Sequence, residues 1–245
     1  MNNIKMNFEP HTHSNFSDGK STLEENVLSA INKGIAKIAL TDHGPKHMTY
    51  GVTKRRLDAY LKEANRLKTV YKSDIDVLVG MEFNLLDLDG NIDLPEGYEN
   101  EFEWSALGLH KLVKYSNIQS ELNLIIYQFS KKKRYLPAVI EKNTQAYIKA
   151  ISRYNIDMLA HLSYVTRVDI GKIAKVCETT NTLIELNGKH IEFDADDARA
   201  VLNTNANFIL GTDAHKPSLI GTCKRGISFV KENNIPLNRV INAYL

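Results

Sequence analysis

Along most of the chain a short apolar run ends in a polar or charged residue and gives way to a stretch with helical spacing. Residues 4–8 read as a strand that runs directly into His11 and His13. Ser21 and Thr22 ahead of Glu24 and Glu25 form a capping-box signature; Leu23, Val27, Leu28 and Ile31 then recur at helical spacing, and Gly34 supplies the stop. Residues 36–40 form a second strand, delivering Thr41, Asp42 and His43 at its end. The pattern predicts a charged amphipathic helix over 54–70, a buried strand over 76–79 leading to Glu82, and a hairpin over 84–94 turning at Asp89-Gly90. A strand at 105–109 reaches His110, and a helix at 143–153 precedes a strand at 156–160 that ends at His161. Helices at 168–179 and 194–203 flank a strand at 183–186. A last strand at 208–210 runs into Gly211-Thr212-Asp213-Ala214-His215, and the remainder reads as mostly helical, broken at Pro236.

Buried-looking strands alternating with helices imply parallel pairing, because the helices must cover both the sheet and the crossovers. With no linker, repeat or boundary in view, the expected architecture is α/β, a closed or nearly closed β/α barrel forming a single domain over 1–245. An open doubly wound sheet would carry a glycine-rich phosphate-binding turn, which is missing. Composition adds little: 245 residues, 43% hydrophobic and 24% charged, are ample for one sizeable core. A formal charge of +2 is too small to announce a nucleic-acid or membrane partner. Cys177 and Cys223 form no CxxC pair, and the sequence shows neither a signal peptide nor a membrane span, so a reduced, cytoplasmic protein is expected.

The candidate chemistry lies where the strands end. His11, His13, His43, His110, His161 and His215 all fall at or just beyond a predicted strand end, as do Glu82 and Asp213. In a parallel barrel those ends converge on one face. One histidine there is most often structural; six in the same relative place are hard to explain by packing. In His11-Thr12-His13 both imidazoles project to one side of an extended segment, so two neutral nitrogens can grip one ion. Asp213-Ala214-His215 repeats that geometry with a carboxylate and an imidazole. Nitrogen and oxygen donors without thiolates suit Zn, Mn or Fe, and a carboxylate such as Glu82 can bridge two ions.

These residues resemble a known family. His11-Thr12-His13-Ser14 with Ser17-Asp18-Gly19, then Thr41-Asp42-His43-Gly44, look like the polymerase-and-histidinol-phosphatase (PHP) superfamily. Gly80-Met81-Glu82, Gly108-Leu109-His110, His161, Glu185-Leu186-Asn187 and Gly211-Thr212-Asp213-Ala214-His215 follow in the order expected for it, across nearly the whole chain. Asp42-His43-Gly44-Pro45, the Asp89-Gly90 hairpin, Asn143-Thr144-Gln145-Ala146 and the length look most like its small stand-alone bacterial phosphatases. The resemblance implies a distorted seven-stranded β/α barrel with up to three divalent metals. By that analogy His11, His13, Glu82 and Asp213 hold one ion; Glu82 bridges to a second, completed by His110 and His161; Asp18, His43 and His215 hold the third. Two departures stand out: Glu9 where many members have Asp, and His161-Leu162-Ser163 where a His-Pro-Gly turn is common.

The expected reaction is hydrolysis of a small phosphate monoester by a metal-bridging hydroxide, with no covalent phosphoenzyme. Glu82, Asp213 and His215 would carry it, with Asp42 a candidate general acid. Lys111, Arg167, Lys189, His190 and Lys216 each follow a strand-terminal site residue and are candidates for holding the substrate phosphate. His47 matches no expected ligand position and reads as a surface or supporting residue, as His190 also could. The run Lys131-Lys132-Lys133-Arg134 reads as a solvated face. Rival readings are a phosphodiesterase or 3'-5' exonuclease on nucleic-acid ends, and a non-catalytic metal-stabilised scaffold. The first would want a basic groove with aromatics, the second an eroded ligand set.

Overall fold

The computed structural model describes residues 4–126 and 137–245. The stretch read as one strand at 4–8 is two, β1 (Lys5–Met6) and β2 (Phe8–Glu9), which go to different sheets. The break falls at Asn7, whose N–H donates to Asn242 O (3.0 Å) while its carbonyl accepts from Ala36 N (2.9 Å). After helix α1 (Leu23–Asn32), closed at its start by the Thr22/Glu25 capping box, come β3 (Lys37–Leu40), α2 (Lys54–Val70) and β4 (Asp76–Asn84). Then follow β5 (Trp104–Gly108), the short α3 (Ile118–Glu121), α4 (Pro137–Arg153), β6 (Met158–Leu159) and α5 (Ile170–Thr180). The chain ends with β7 (Leu183–Asn187), α6 (Ala195–Leu202), β8 (Phe208–Gly211), α7 (Lys224–Glu232) and β9 (Ala243–Tyr244).

Strands β2 to β8 lie side by side in chain order, every neighbouring pair parallel. The two edges of this sheet approach each other. Beyond β2 and β8 a parallel bridge joins Thr12 to Ala214, with His13 N donating to Ala214 O (2.9 Å) and Ala214 N to His11 O (3.1 Å). Nearer the other end, Asn242 spans the same seam, donating from Nδ2 to Phe8 O and Leu210 O (2.7 Å each) and accepting from Leu210 N (2.9 Å). The result is a nearly closed seven-stranded α/β barrel in a single domain.

Several boundaries differ from expectation for physical reasons. Strand β4 continues through Asn84, so Glu82 sits inside a strand and not beyond its end. The β4–β5 crossover is the Asp89-Gly90 hairpin: Leu85 bridges Ile92, Gly90 adopts φ +76°, and Asp87 Oδ1 accepts from Asp89 N and Asn91 N. The segment after His215 is only partly helical. Its tail forms β9, antiparallel to β1, and covers the bottom of the barrel seam. The basic run Lys131-Lys132-Lys133-Arg134 lies outside the described residues. Among those described, no helix is long and apolar enough to cross a membrane.

Two apolar regions hold the fold. Strand residues such as Ile38, Leu40, Val79, Leu107, Ile184 and Leu210 pack outward against the helices. Inside the barrel a smaller plug is built from Phe8, Ala39, Trp104, Ala106, Met158, Ala160 and Ile209. Trp104 Nε1 donates to Pro10 O (3.1 Å), so the plug buries its indole without leaving the N–H unpaired. Above it, toward the C-terminal strand ends, the interior turns polar.

Candidate metal centre and active site

Glu82, fully buried on β4, is the hub of that polar layer. Its Oε1 lies 2.9 Å from His161 Nε2, 3.4 Å from His110 Nε2 and 3.5 Å from His11 Nε2. Its Oε2 lies 2.8 Å from His43 Nδ1 and 3.7 Å from His13 Nε2. Asp213 Oδ1 lies 3.3 Å from both His13 Nε2 and His215 Nδ1, and Asp18 Oδ1 is 3.2 Å from His215 Nε2 and 3.5 Å from His43 Nε2. Room for the carboxylate comes from glycine: a Cβ on Gly108 would lie 2.5 Å from Glu82 Oε1.

The donors fit divalent cations. Asp18 Oδ1, His43 Nδ1, Glu82 Oε2 and Asp213 Oδ1 are buried and make no hydrogen bond, an expensive arrangement for four neighbouring polar atoms unless a charge sits among them. His11 Nε2 and His13 Nε2 face each other at 3.1 Å. Three donor groups have ligand atoms within 4.8 Å of one another: His13, Asp18, His43 and His215; His11, His13 and Glu82; His43, Glu82 and His110. His13 and His43 thus stand between groups, where the family analogy assigns each to one ion. Asp213 and His161 adjoin these groups through His13 and Glu82.

The profile of the PHP domain family matches residues 9–196. The chain belongs to the PHP domain family. The match ends before β8, whose far end carries Asp213 and His215. A probable phosphatase of Thermoanaerobacter sp. (strain X514) is 26% identical, aligned over 98% of this chain and 91% of its own. The DNA polymerase/3'-5' exonuclease PolX of Bacillus subtilis (strain 168) is 24% identical over 95% of this chain, which spans only 38% of that protein. Among solved structures, a histidinol phosphate phosphatase of Lactococcus lactis subsp. lactis Il1403, complexed with zinc, L-histidinol and phosphate, superposes with a TM-score of 0.61 at 17% identity. That alignment covers 94% of this chain and 95% of the other. At that identity it speaks for the fold, which is the PHP barrel.

Behind the donors of this PHP site stands a layer of orienting groups; of these the sequence marked Glu185 and Glu9 through the family resemblance alone and gave neither a partner, and it did not single out Asn84 or Asp93. Glu185 Oε1 accepts from His11 Nδ1 (2.8 Å), and Oε2 accepts from His161 N (2.7 Å) and Asn187 Nδ2 (2.9 Å). A proton on His11 Nδ1 leaves Nε2 with a lone pair directed at the donor cluster. His110 Nδ1 is similarly paired with Asn84 Oδ1 (2.7 Å), and Asp93 holds Asn84 by its side chain (2.7 Å) and its backbone N (2.6 Å). Glu9 ties the barrel seam, accepting from Thr212 Oγ1 (2.6 Å), Thr212 N (3.1 Å) and Gly221 N (2.9 Å). The single local signal was a charged residue within an apolar strand, as at Glu185.

Charge is distributed unevenly over the site. Burial pushes the Glu82 carboxyl up, but His110, His11 and His43 outweigh it and hold it well below its ordinary value. Asp213 is likewise held low against burial, by His11 and His13. Burial alone would lower His11; the carboxylates of Glu185, Glu82 and Asp213 instead raise it well above its ordinary value. His161 and His215 are raised against burial by the carboxylates beside them, Glu82 and Asp18 respectively. His13 is pushed down to about 3 by burial and His43, and burial puts His110 well below its ordinary value. The backbone is strained here too: His161 (φ +31°), Ser163 (φ +68°) and Asp213 (φ +50°) occupy the left-handed region, at about 1–3 kcal/mol each. Ser163 stands where the family often has glycine, which takes that conformation freely.

A cleft of about 230 Å³ opens over the donors, lined by Asp18, His43, His110, His161, Asp213 and His215, with His47, Tyr50, Tyr164, Lys189 and His190 toward its rim. Lys189 and His190 line this cleft. Lys189 Nζ reaches Asp213 O (2.5 Å) and His215 Nδ1 (2.9 Å), and the His190 ring stacks on Tyr164 at 3.8 Å. Arg167 does not line it: the guanidinium is drawn away to Asp197 Oδ2 (2.8 Å) and Glu192 O (2.9 Å). Lys111 and Lys216 are also absent from the lining.

Asp42 is not placed to act as a general acid. Its buried carboxylate accepts from Ser14 N (2.8 Å), Ser14 Oγ (2.6 Å), Ser17 N (3.0 Å) and Ser17 Oγ, which anchors the loop carrying His13 and Asp18 and turns the group away from the cleft. His47 differs in the opposite sense. It is 8% exposed, lines the cleft and stacks on His43, and burial with His43 lowers its pKa to about 4.

Proposed function

We propose that this chain is a metal-dependent phosphatase that hydrolyses a small phosphate monoester. The observation that carries the reading is the set of buried, unpartnered donor atoms at Asp18, His43, Glu82 and Asp213, opening onto a small cleft on the C-terminal face of a PHP barrel. The donors His11, His13, Asp18, His43, Glu82, His110, His161, Asp213 and His215 would hold up to three ions, of Zn, Mn or Fe by ligand type. When bound, such ions polarise the phosphoryl group and acidify water.

The chain's own residues supply the rest. Lys189 brings a cation to the cleft beside Asp213 and His215, where it meets substrate phosphate. No serine, threonine or cysteine is among the described residues that line the cleft, and its carboxylates and imidazoles are taken up as donors for the ions, which favours water as the nucleophile over a covalent phosphoenzyme. Glu185 and the Asn84–Asp93 pair hold His11 and His110 in one tautomer, sparing reorganisation during turnover.

Size and charge argue for a monoester. The cleft of about 230 Å³ falls below the range typical for drug-sized ligands. Lys189 is the single lysine or arginine among the described residues that line it, whereas a strand-binding groove wants a cationic track. The relative named a probable phosphatase agrees, and histidinol phosphate is one candidate substrate by analogy with the superposed Lactococcus enzyme. The PolX relative keeps an exonuclease as the second reading. We take the protein to act in the cytoplasm, where the free thiols of Cys177 and Cys223 persist.

Protein loaded with Mn or with Zn should release phosphate from p-nitrophenyl phosphate and leave bis-p-nitrophenyl phosphate untouched. Preference for the diester would favour the exonuclease reading. A panel of phosphorylated metabolites under both metals then narrows the substrate.

A further inference from the structure

His47 stands in the cleft without a place in any donor group. Its ring is fixed from two sides, stacked on His43 at 4.9 Å and on Tyr50 at 5.3 Å. Its backbone is fixed as well. Residue 47 bridges Val113 in antiparallel register, Met48 N donates to Leu112 O (2.8 Å) and Lys114 N to Lys46 O (2.9 Å). A loop residue held by a short ladder and two ring contacts keeps one orientation.

The tautomer follows from one hydrogen bond. Tyr50 N–H, which can only donate, lies 3.2 Å from His47 Nδ1, and the Thr49 hydroxyl lies 3.4 Å from the same atom. Nδ1 is therefore an acceptor, and the ring's proton sits on Nε2. A second proton on Nδ1 would set N–H against N–H. The ring thus offers one N–H donor from a position outside His43, on the side of the cleft where Tyr50 is 46% exposed. A phosphoryl group facing the donor clusters must point its leaving group toward this mouth.

We propose that His47 is a further catalytic residue, donating a hydrogen bond from Nε2 to the oxygen that leaves with the alcohol. The inference rests on the phosphatase reading above. In the step it serves, water adds to phosphorus and the P–O bond to the leaving group breaks. That bond's electron pair goes to the leaving oxygen, and the proton lost by water ends on the alcohol. His47 keeps its own proton throughout; it stabilises charge that builds on the departing oxygen, as a fixed neutral imidazole can.

The test compares wild type, His47→Phe and His47→Gln on two substrates, p-nitrophenyl phosphate and 2-phenylethyl phosphate, with metal content measured for each protein. Phenylalanine keeps the stack and removes the donor; glutamine restores an N–H. For the phenylethyl ester, whose alkoxide leaves poorly, kcat of His47→Phe should fall about 100- to 1,000-fold, but under about 10-fold for the nitrophenyl ester. Metal content should be unchanged, KM should move little, and His47→Gln should recover part of the loss. Long-range 1H–15N spectra should place the His47 proton on Nε2 in wild type. Equal losses on both esters, loss of metal from His47→Phe, or a proton on Nδ1 would each overturn the proposal. Metal-loaded wild type inactive on both esters would sink the phosphatase reading itself, a different result from an active wild type indifferent to His47.

Discussion

Replacing Glu185 by Gln tests the site without touching a metal donor. Glu185 carries no solvent exposure worth the name, and both its oxygens are engaged: Oε1 with His11 Nδ1 at 2.8 Å, Oε2 with His161 N at 2.7 Å and Asn187 Nδ2 at 2.9 Å. Glutamine has one oxygen, so one side must present an NH2 group. Facing His161, it sets donor against donor. Facing His11, it forces the imidazole proton from Nδ1 to Nε2 and removes the lone pair the cluster needs. Either arrangement loses a hydrogen bond to a charged group, about 1.5–3 kcal/mol. At 1.4 kcal/mol per decade this corresponds to about 10- to 100-fold weaker metal binding, in line with losses when partners of metal-ligating histidines are removed. Chelator competition with Zn at fixed pH reads it directly, with circular dichroism to show that the barrel persists. Gly211→Ala should produce a similar loss, because its Cβ would lie 2.1 Å from Glu185 Oε1 and must displace the carboxylate. Wild-type affinity in Glu185→Gln would refute the claim that this carboxylate sets the tautomer of His11.

Other expectations follow from the same geometry. Asp93→Asn deprives Asn84 of its carboxylate anchor and so loosens His110; metal affinity should fall about 10-fold in the same competition assay. Ser163→Gly should raise stability by about 1 kcal/mol, because Ser163 holds φ +68° and its buried hydroxyl has no hydrogen-bond partner; thermal melting should shift up by about 2–4 °C. Metal binding should weaken as pH falls. His11, His161 and His215 have raised pKa values in the metal-free site, so each keeps its proton to higher pH and an ion must displace it; the competition is strongest below those raised values and fades above them. Titrations between pH 6 and 8 check this through protons released per ion, and a pH-independent affinity would contradict it. Asp42→Ala should lower thermal stability, since Ser14 and Ser17 lose their acceptor, while leaving the ratio of rates on good and poor leaving groups unchanged.

What the sequence revealed and what it hid divide along physical lines. A short apolar run ending in His or Asp is a local signal, so the strand-terminal His43, His110, His161 and Asp213 were legible, as was the Asp89-Gly90 hairpin. Partnerships across the barrel leave no such trace. Glu185 meets a histidine 174 positions earlier in the chain, and Asn242 closes a seam against Phe8, 234 positions away. Nothing local marks Asn242, and the charge of Glu185 within an apolar strand gives no hint of which histidine it meets. Arg167 misled because its position after a site strand promised the cleft, while the first turn of α6 offered it Asp197. His47 was underrated for the opposite reason: its place depends on a ladder with residues 112–114 that no periodicity announces.

The central claim is that a cluster of ions among these carboxylates and imidazoles makes the chain a phosphatase. The most direct measurement follows phosphate release from p-nitrophenyl phosphate while protein stripped by a chelator is titrated with Zn or Mn. Activity should be absent in the stripped protein and rise with bound metal up to a stoichiometric endpoint. Hydrolysis undiminished by complete stripping, or none at any metal loading, would contradict the account.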